Sequence, residues 1–269
     1  MSTLVFLGGG RITSAMLAGL RLGGTQHRLV VHDRNPGKLR DLKRRYKVAA
    51  EADLNRAIEQ AGIVIFAVGP SSMQELLGAV SAAVEGAKRP RPRLAVSLAA
   101  GVPLLALRKT LGPPVQWARA MPSPACRSGR GLTAVTFQRS IPRADRKLVH
   151  DLFGGFGQVV EIPESKFDAF TVTFSCSHGY HALATLAGSA QAAGLDRKTS
   201  LIASAHALAD GIVAWRGGKH SLKSLLEEAC TPGGIAAATA TAMDAAGYKR
   251  VVLRGVTAGL RRARANAGR

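Results

Sequence analysis

Apolar residues along the first part of the chain fall into two alternating rhythms. Short unbroken runs form one of them: TLVFL (3–7), RLVVHD (28–33), IVIFAV (63–68), RLAVSL (93–98), and later VQWARAM, GLTAVTF and QVVEI. Such runs, rich in β-branched residues and without polar alternation, are expected of strands buried on both faces of a parallel sheet. The stretches SAMLAGLRLG (14–23), PGKLRDLKRRY (36–46), SMQELLGAVSAAV and PLLALRKTLG instead space their apolar residues at helical intervals. Pro36 suits the first turn of its helix, and Gly23-Gly24 stops the helix before them. Strands alternating with helices predict a parallel sheet wound by crossovers.

After Pro163 the texture changes. From Glu164 to Ala267 the chain is rich in Ala and Leu at helical spacing, with no convincing strand. The expected organisation is an α/β domain over 1–162 and an all-helical domain over 163–269. Helices with so many small residues pack closely, often against a second copy, so the helical half is the expected dimerisation surface.

One stretch does not sit easily in that pattern. TVTFSCSHGYHAL (171–183) begins as an apolar, β-branched run that predicts interior, then places Ser175, Cys176, Ser177 and His178 in a row. Buried polar side chains cost free energy unless each finds a partner. A ligand pocket resolves the conflict, because ligand or water can satisfy such groups. The simpler alternative is a helix start with local bonds from the two serines.

Composition narrows the class. The 269 residues are 46% hydrophobic and 20% charged, which is globular. No apolar run reaches the roughly 18 residues a membrane span needs, and the first residues lack the features of a signal peptide. Three cysteines, far apart and without a paired motif, argue against a disulfide framework. A cytoplasmic protein is expected. Cys176, His178 and His181 have no matching partner pair, so no metal is expected. The 37 Lys and Arg against 17 Asp and Glu give +20. Nucleic-acid binding calls for clustered bases with interleaved aromatics, but aromatics are 5% and the arginines spread through KRPRPR (88–93), RSGR (127–130) and the C-terminal tail. A basic surface that attracts anionic ligands fits better than a nucleic-acid partner.

Candidate chemistry centres on FLGGGRITSAM, where Gly8 and Gly10 hold the G-x-G positions directly after the first strand. The first glycine permits the tight turn, the second lets backbone approach a pyrophosphate, and the following helix points its amides at the phosphates. Asp33 ends the second strand where a ribose hydroxyl would be held. Thr13 stands in the third glycine position. Asp33 suits NAD, whereas Arg34, Asn35 and Lys38 offer donors to a 2′-phosphate. The local positive charge favours NADP, with NAD the alternative.

These motifs resemble, in order, those of the pyrroline-5-carboxylate reductase family. FLGGGRITSAM is similar to the family's Phe-Ile-Gly-x-Gly-Asn-Met-Gly start, IFAVGP (65–70) to its Ala-Val-Lys-Pro loop, and SLAAGV (97–102) to its Ser-Ile-Ala-Ala-Gly-Val turn. RAMPSPA (119–125) resembles Arg-Ala-Met-Pro-Asn-Thr-Pro-Ala, DAFTVT (168–173) the helix that follows, and CTPGG (230–234) the Ser-Pro-Gly-Gly loop. The resemblance implies a Rossmann-type domain plus a helical dimerisation domain, a homodimer or ring of dimers, and reduction of a cyclic imine carboxylate to proline by NAD(P)H. It implies that Gly8, Gly10, Arg11 and Ile12 cradle the pyrophosphate. Ala67, Val68 and Pro70 would line the path to the nicotinamide, and Ala99, Ala100 and Gly101 would approach it.

The departures bear on the substrate. Gly69 stands where the family has Lys, Ser123 where it has Asn, and Ala236 where a Thr often faces the imine. Residues 174–178 align with the family's Ser-Gly-Ser-Gly-Pro segment, which implies that Ser175 and Ser177 help hold the substrate carboxylate. Thr231, Gly233 and Gly234 are implied in the same task, and His178 or Tyr180 could donate a proton in place of the missing Thr. Two other readings remain: a reductase of a different imine, and a non-catalytic dinucleotide-binding paralogue.

Overall fold

The computed structural model describes residues 2–86 and 92–267. The basic run KRPRPR therefore lies largely outside the described residues. By packing, the chain divides into two compact units: residues 1–174 with 259–269, and residues 175–258.

In the first unit the elements run β1 (Thr3–Leu7), α1 (Arg11–Leu22), β2 (Arg28–His32), α2 (Pro36–Tyr46), β3 (Ala49–Glu51) and α3 (Leu54–Glu59). They continue with β4 (Ile63–Phe66), α4 (Met73–Glu85), β5 (Leu94–Ser97), α5 (Leu104–Thr110), β6 (Gln116–Pro122) and β7 (Gly131–Phe137). Then come α6 (Arg143–Gly154), β8 (Gly157–Glu161) and α7 (Glu164–Thr173). The strands form one eight-stranded sheet in the order β3-β2-β1-β4-β5-β6-β7-β8. Side chains alternate across it: Leu4 and Phe6 of β1 join Met16, Leu20 and Phe153 on one face, while Val5 and Leu7 join Ile58, Leu77 and Trp117 on the other. Each large buried side chain contributes roughly 1.5–3 kcal/mol, so the double-sided core holds this unit by itself.

Two features go beyond the pattern of apolar runs. β3, α3 and α6 were not singled out by it. β3 is only three residues long, and α6 buries just Val149, Leu152 and Phe153 along a charged helix. The sheet is also mixed: β7 runs antiparallel to β6. The link between them holds only a short 3₁₀ turn, Pro124–Ser128, and a parallel return needs a crossover of a dozen or more residues.

The second unit is built from α8 (Ser177–Ala192), α9 (Arg197–Gly217), α10 (Leu222–Ala229), α11 (Ile235–Ala245) and the first part of α12 (Tyr248–Ala267). Asp196 caps α9 through its Lys198 and Thr199 amides, and Ser221 caps α10 through Ser224. Among its described residues only Ala187, Ser200 and Ser204 are buried. No helix among the described residues is long and apolar enough to cross a membrane.

Candidate active site

The strand order places β1 between β2 and β4. The helices after β1 and β2 cover one face of the sheet, while α3, α4 and α5 cover the other. Such a switch point opens a crevice at the carboxyl ends of the parallel strands. The Gly8–Gly10 turn leaves β1 at that edge. Gly8 has φ +109°, and a Cβ there would stand 2.8 Å from the Ala67 carbonyl oxygen, so only glycine fits. Its amide donates to the His32 carbonyl at 2.8 Å. Thr13, in the third glycine position, is fully buried and its hydroxyl donates to the Gly8 carbonyl at 2.5 Å. The side chain that replaces the glycine thus ties the turn to the helix.

Gly10 differs from its neighbours. A Cβ built on it would meet nothing within 4 Å. It caps α1 without a side-chain bond, and the first turn carries no acidic residue. The starting amides of α1, around Arg11 and Ile12, therefore face outward at the positive end of the helix dipole, a geometry that receives a phosphate. α2 shows the contrast: Asn35 Oδ1 accepts the Gly37 and Lys38 amides at 2.9 and 3.1 Å, so that N-terminus is already satisfied.

Asp33 is committed on both oxygens. Oδ2 accepts the Gly9 amide at 2.7 Å and Oδ1 the Asn35 amide at 2.8 Å. Lys38 Nζ lies 3.7 Å from Oδ2. Arg34, expected as a phosphate donor, points to Glu75 at 2.9 Å in a pair whose two side chains are largely exposed. A cavity of about 250 Å³ adjoins the turn, lined by Gly9, Gly10, Arg11, Ser14, Lys38, Asp41, Leu42, Arg45 and Arg127. Its four cations face a single carboxylate, Asp41, whose pKa is held below the usual carboxylate range first of all by its hydrogen bond with Arg45. Arg45 and Arg127 were not among the expected site residues. The signal for Arg45 was its seven-residue spacing from Lys38, two turns along one face of α2. Arg127 arrives through packing of the 3₁₀ turn against α1, which no local pattern encodes.

The remaining expected cofactor residues follow β4 and β5. Ala67 donates its amide to Leu7 at 2.9 Å, and Val68 packs beneath it against the core. Gly69 and Pro70 open the next 3₁₀ turn. Ala99 is buried, Ala100 half-buried and Gly101 buried at φ +78°. Three parallel strands thus deliver three short apolar turns to one edge.

The expected substrate residues lie in the second unit. Here the expectation of interior fails: Ser175, Ser177, His178, Tyr180 and His181 are exposed in the chain, and Cys176 is half-buried. The β-branched run 171–173 ends α7 without reaching the interior, and the Thr171 hydroxyl donates to the Phe167 carbonyl within that helix. Ser175 Oγ and Ser177 Oγ stand 2.8 Å apart at the start of α8, and the His178 amide donates to the Ser175 carbonyl at 3.1 Å. Thr231, Gly233 and Gly234 make the turn into α11, with the Gly234 amide on the Thr231 carbonyl at 3.0 Å and Gly233 at φ +78°. Gly234 caps α11 without a side-chain bond, so that helix start also has amides to offer an anion.

Comparison with known proteins agrees with this architecture. Residues 3–101 match the family model described as NADP oxidoreductase, coenzyme F420-dependent, and residues 164–266 match pyrroline-5-carboxylate reductase dimerisation. The pyrroline-5-carboxylate reductase of Mycobacterium leprae is 31% identical over 212 residues, covering 78% of this chain and 72% of the relative. That of Pisum sativum is 25% identical over 267 residues, covering 97% and 95%. The Plasmodium falciparum pyrroline carboxylate reductase, solved with NADP bound, superposes with a TM-score of 0.86 at 20% identity over 99% of this chain and 98% of that one. The outward-facing α1 amides at a sheet switch point, the helical second unit and a relative of this identity and coverage lead to one statement: the chain belongs to the pyrroline-5-carboxylate reductase family.

Proposed function

We propose that the protein reduces a cyclic imine carboxylate with NAD(P)H, converting pyrroline-5-carboxylate to proline. The observation that carries the reading is the start of α1, uncapped and sterically open at Gly10, beside a cavity with four cations. When bound, the cofactor supplies the hydride for the imine carbon.

The chain's own residues bind and orient. Gly8, Gly10, Arg11 and Ile12 hold the pyrophosphate through backbone amides. Lys38 is the foremost reader of a 2′-phosphate. Asn35 contributes its side-chain amide nitrogen, Arg34 stands at the rim, and Asp33 keeps the turn closed while offering lone pairs to the ribose. NADP is therefore the favoured cofactor, with NAD compatible. Ala67, Val68 and Pro70, then Ala99, Ala100 and Gly101, give the nicotinamide apolar walls that exclude water. Ser175, Ser177, Thr231, Gly233 and Gly234 hold the substrate carboxylate through hydroxyls and amides. A protonated cyclic imine is already a good electrophile, so positioning supplies most of the rate. His178 is the candidate proton donor.

The second unit carries the association. Leu201, Ile202, Ile212, Val213 and Trp215 on α9 are exposed in the single chain, an apolar surface of the kind that assembly covers. A homodimer, or a ring of dimers, is the arrangement this supports. A second substrate reading is favoured by one observation: side chains at Ser175 and Ser177, with Ala236 where a hydroxyl would face the nitrogen, suit an imine other than pyrroline-5-carboxylate. Steady-state turnover of pyrroline-5-carboxylate and a panel of larger cyclic imines with NADPH and NADH tests both. Turnover of none of them, with NADPH still bound, would leave only the non-catalytic dinucleotide-binding alternative.

A further inference from the structure

The turn after β5 is held from outside by the far end of the chain. Gly101 at φ +78° runs so close to α12 that a Cβ on it would stand 2.4 Å from the Ala263 carbonyl oxygen. Asn266, one turn of helix further and nine-tenths buried, donates from Nδ2 to the Ala100 carbonyl at 3.2 Å. The other end of the same turn is fixed by Glu164, whose Oε1 accepts the Leu104 amide at 2.6 Å. Gly259 presses α12 onto Val172 of α7, where a Cβ would come within 2.6 Å of a Val172 methyl. The last turns of α12 therefore belong to the first unit, although the helix begins in the second.

We propose that Asn266 is a positioning residue for hydride transfer: it fixes the Ala99–Gly101 turn so that the nicotinamide ring is presented at one depth and angle. The proposal rests on the dinucleotide reading above. With a glycine in the left-handed region and no side chain longer than a methyl over its three residues, the turn's own side-chain-mediated anchor is the Ala99 amide on Ser97 Oγ at 3.3 Å, at its strand end only. The Asn266 amide supplies a hydrogen bond from α12 to the Ala100 carbonyl of that turn. Its loss leaves the pyrophosphate site untouched, because Gly8 and Gly10 lie in the turn between β1 and α1 and Lys38 lies in α2, whereas Asn266 bonds to the turn after β5. The effect must therefore appear at the nicotinamide end alone.

The test uses the full-length protein with Asn266→Leu, close in volume but without a donor, and Asn266→Asp, isosteric, as the second variant should the first fail to fold. Three quantities are read: kcat, the affinities for NADPH and for 2′-phospho-ADP-ribose (which lacks the nicotinamide), and backbone hydrogen exchange over residues 98–104 without cofactor. The expected result is a fall in kcat of roughly tenfold to a hundredfold, the size of effect that a misplacement near 1 Å produces. Affinity for 2′-phospho-ADP-ribose should be unchanged, and exchange in the turn faster. Unchanged kcat and unchanged exchange would overturn the proposal. So would equal losses of affinity for both ligands, which mark general damage. If the wild type binds neither ligand, the dinucleotide reading fails, and the exchange measurement alone then judges whether Asn266 holds the turn.

Discussion

The two units meet the demand for burial in different ways. In the first, a sheet covered on both faces encloses Phe6, Phe66, Trp117 and Phe153 completely, and even the cation Arg119 is sealed inside. In the second, only three small residues are buried outright among its described positions, while Ile212, Val213, Leu226, Ile235 and Leu253 remain exposed. A 21-residue helix such as α9 with apolar residues on several sides has no stable place in water by itself. The α/β unit encloses its core within a single copy, whereas the helical unit, which matches a dimerisation family, leaves large apolar side chains exposed in one copy. Every side chain proposed to touch the cofactor lies in the first unit, and every one proposed to hold the substrate lies in the second.

The hardest blow to that contrast is a charge on the helical surface. Val213→Glu changes a residue 67% exposed in the single chain, so a monomer should tolerate it. In a symmetric assembly it would bury carboxylates without partners, which costs several kcal/mol each. Loss of the oligomer by light scattering, together with a large drop in melting temperature, is the expected outcome. Leu105→Glu, on a residue 77% exposed in the first unit, should change neither. An oligomer unmoved by Val213→Glu would put the assembly surface elsewhere.

Arg119 probes the other side of the contrast. Its guanidinium meets Glu164 at 3.4 Å and Asp168 at 3.0 Å and lies 4.5 Å over the Phe167 ring, with the side chain 2% exposed. Removing one partner of a buried pair costs about 3–5 kcal/mol; the carboxylates here are about a third exposed, so the lower end applies to Arg119→Ala. The loss should be independent of protein concentration, since it belongs to a unit that encloses its core within a single copy. A concentration-dependent melting shift in that variant would show that the first unit also leans on assembly.

Gly8 and Gly10 separate fold from function within one turn. Gly8→Ala strains a positive φ and collides with backbone at Ala67, so it should destabilise the protein. Gly10→Val places its side chain in open space and should change stability by no more than about 1 kcal/mol. Its NADPH affinity should fall at least a hundredfold, because the branched side chain occupies the path of the pyrophosphate. Full affinity in the folded variant would refute the assignment of α1.

How much of this was legible in the sequence follows the same division. Six buried strands and the helices α1, α2, α4 and α5 announced themselves because period and burial agree when an element is covered on a known side; β8 was legible as a strand, but none of its residues is buried, contrary to what its apolar run led one to expect. β3 did not, being three residues at a sheet edge. The Gly8–Asp33 pair was legible because local backbone geometry demands those residue types. The cation cavity was only half legible: Arg11 and Lys38 follow from proximity in sequence, whereas Arg127 reaches it through tertiary packing. The 171–181 stretch misled for a physical reason. Its apolar character signals burial, but Thr171, Val172, Phe174 and Cys176 are only half-buried in the single chain, and the serines and histidines that follow are exposed. Asn266 gave no signal, since nothing in a basic helical tail marks one amide as touching a distant carbonyl.

The smallest expected effect concerns which cation reads the 2′-phosphate, and it again turns on what is already engaged. Arg34 was the candidate from position, two residues past β2. In the structure its guanidinium is paired with Glu75 and 79% exposed. A contact there would have to break that pair, and exposed pairs contribute little either way. Lys38 faces the cavity with Arg11, Arg45 and Arg127, and its neighbour Asp33 has both oxygens occupied by backbone amides. A charge-assisted contact contributes about 1.5–3 kcal/mol. Lys38→Ala should therefore weaken NADPH by roughly tenfold or more and NADH hardly at all, while Arg34→Ala should cost NADPH less than Lys38→Ala does. Glu75→Ala releases Arg34 and should move NADPH affinity slightly upward. Titration of both cofactors against the three variants gives the answer, and variants on the helical unit such as Ser177→Ala should leave these affinities where they were. An Arg34→Ala loss exceeding that of Lys38→Ala would return the phosphate to the rim of the site and leave the cation cavity without this role.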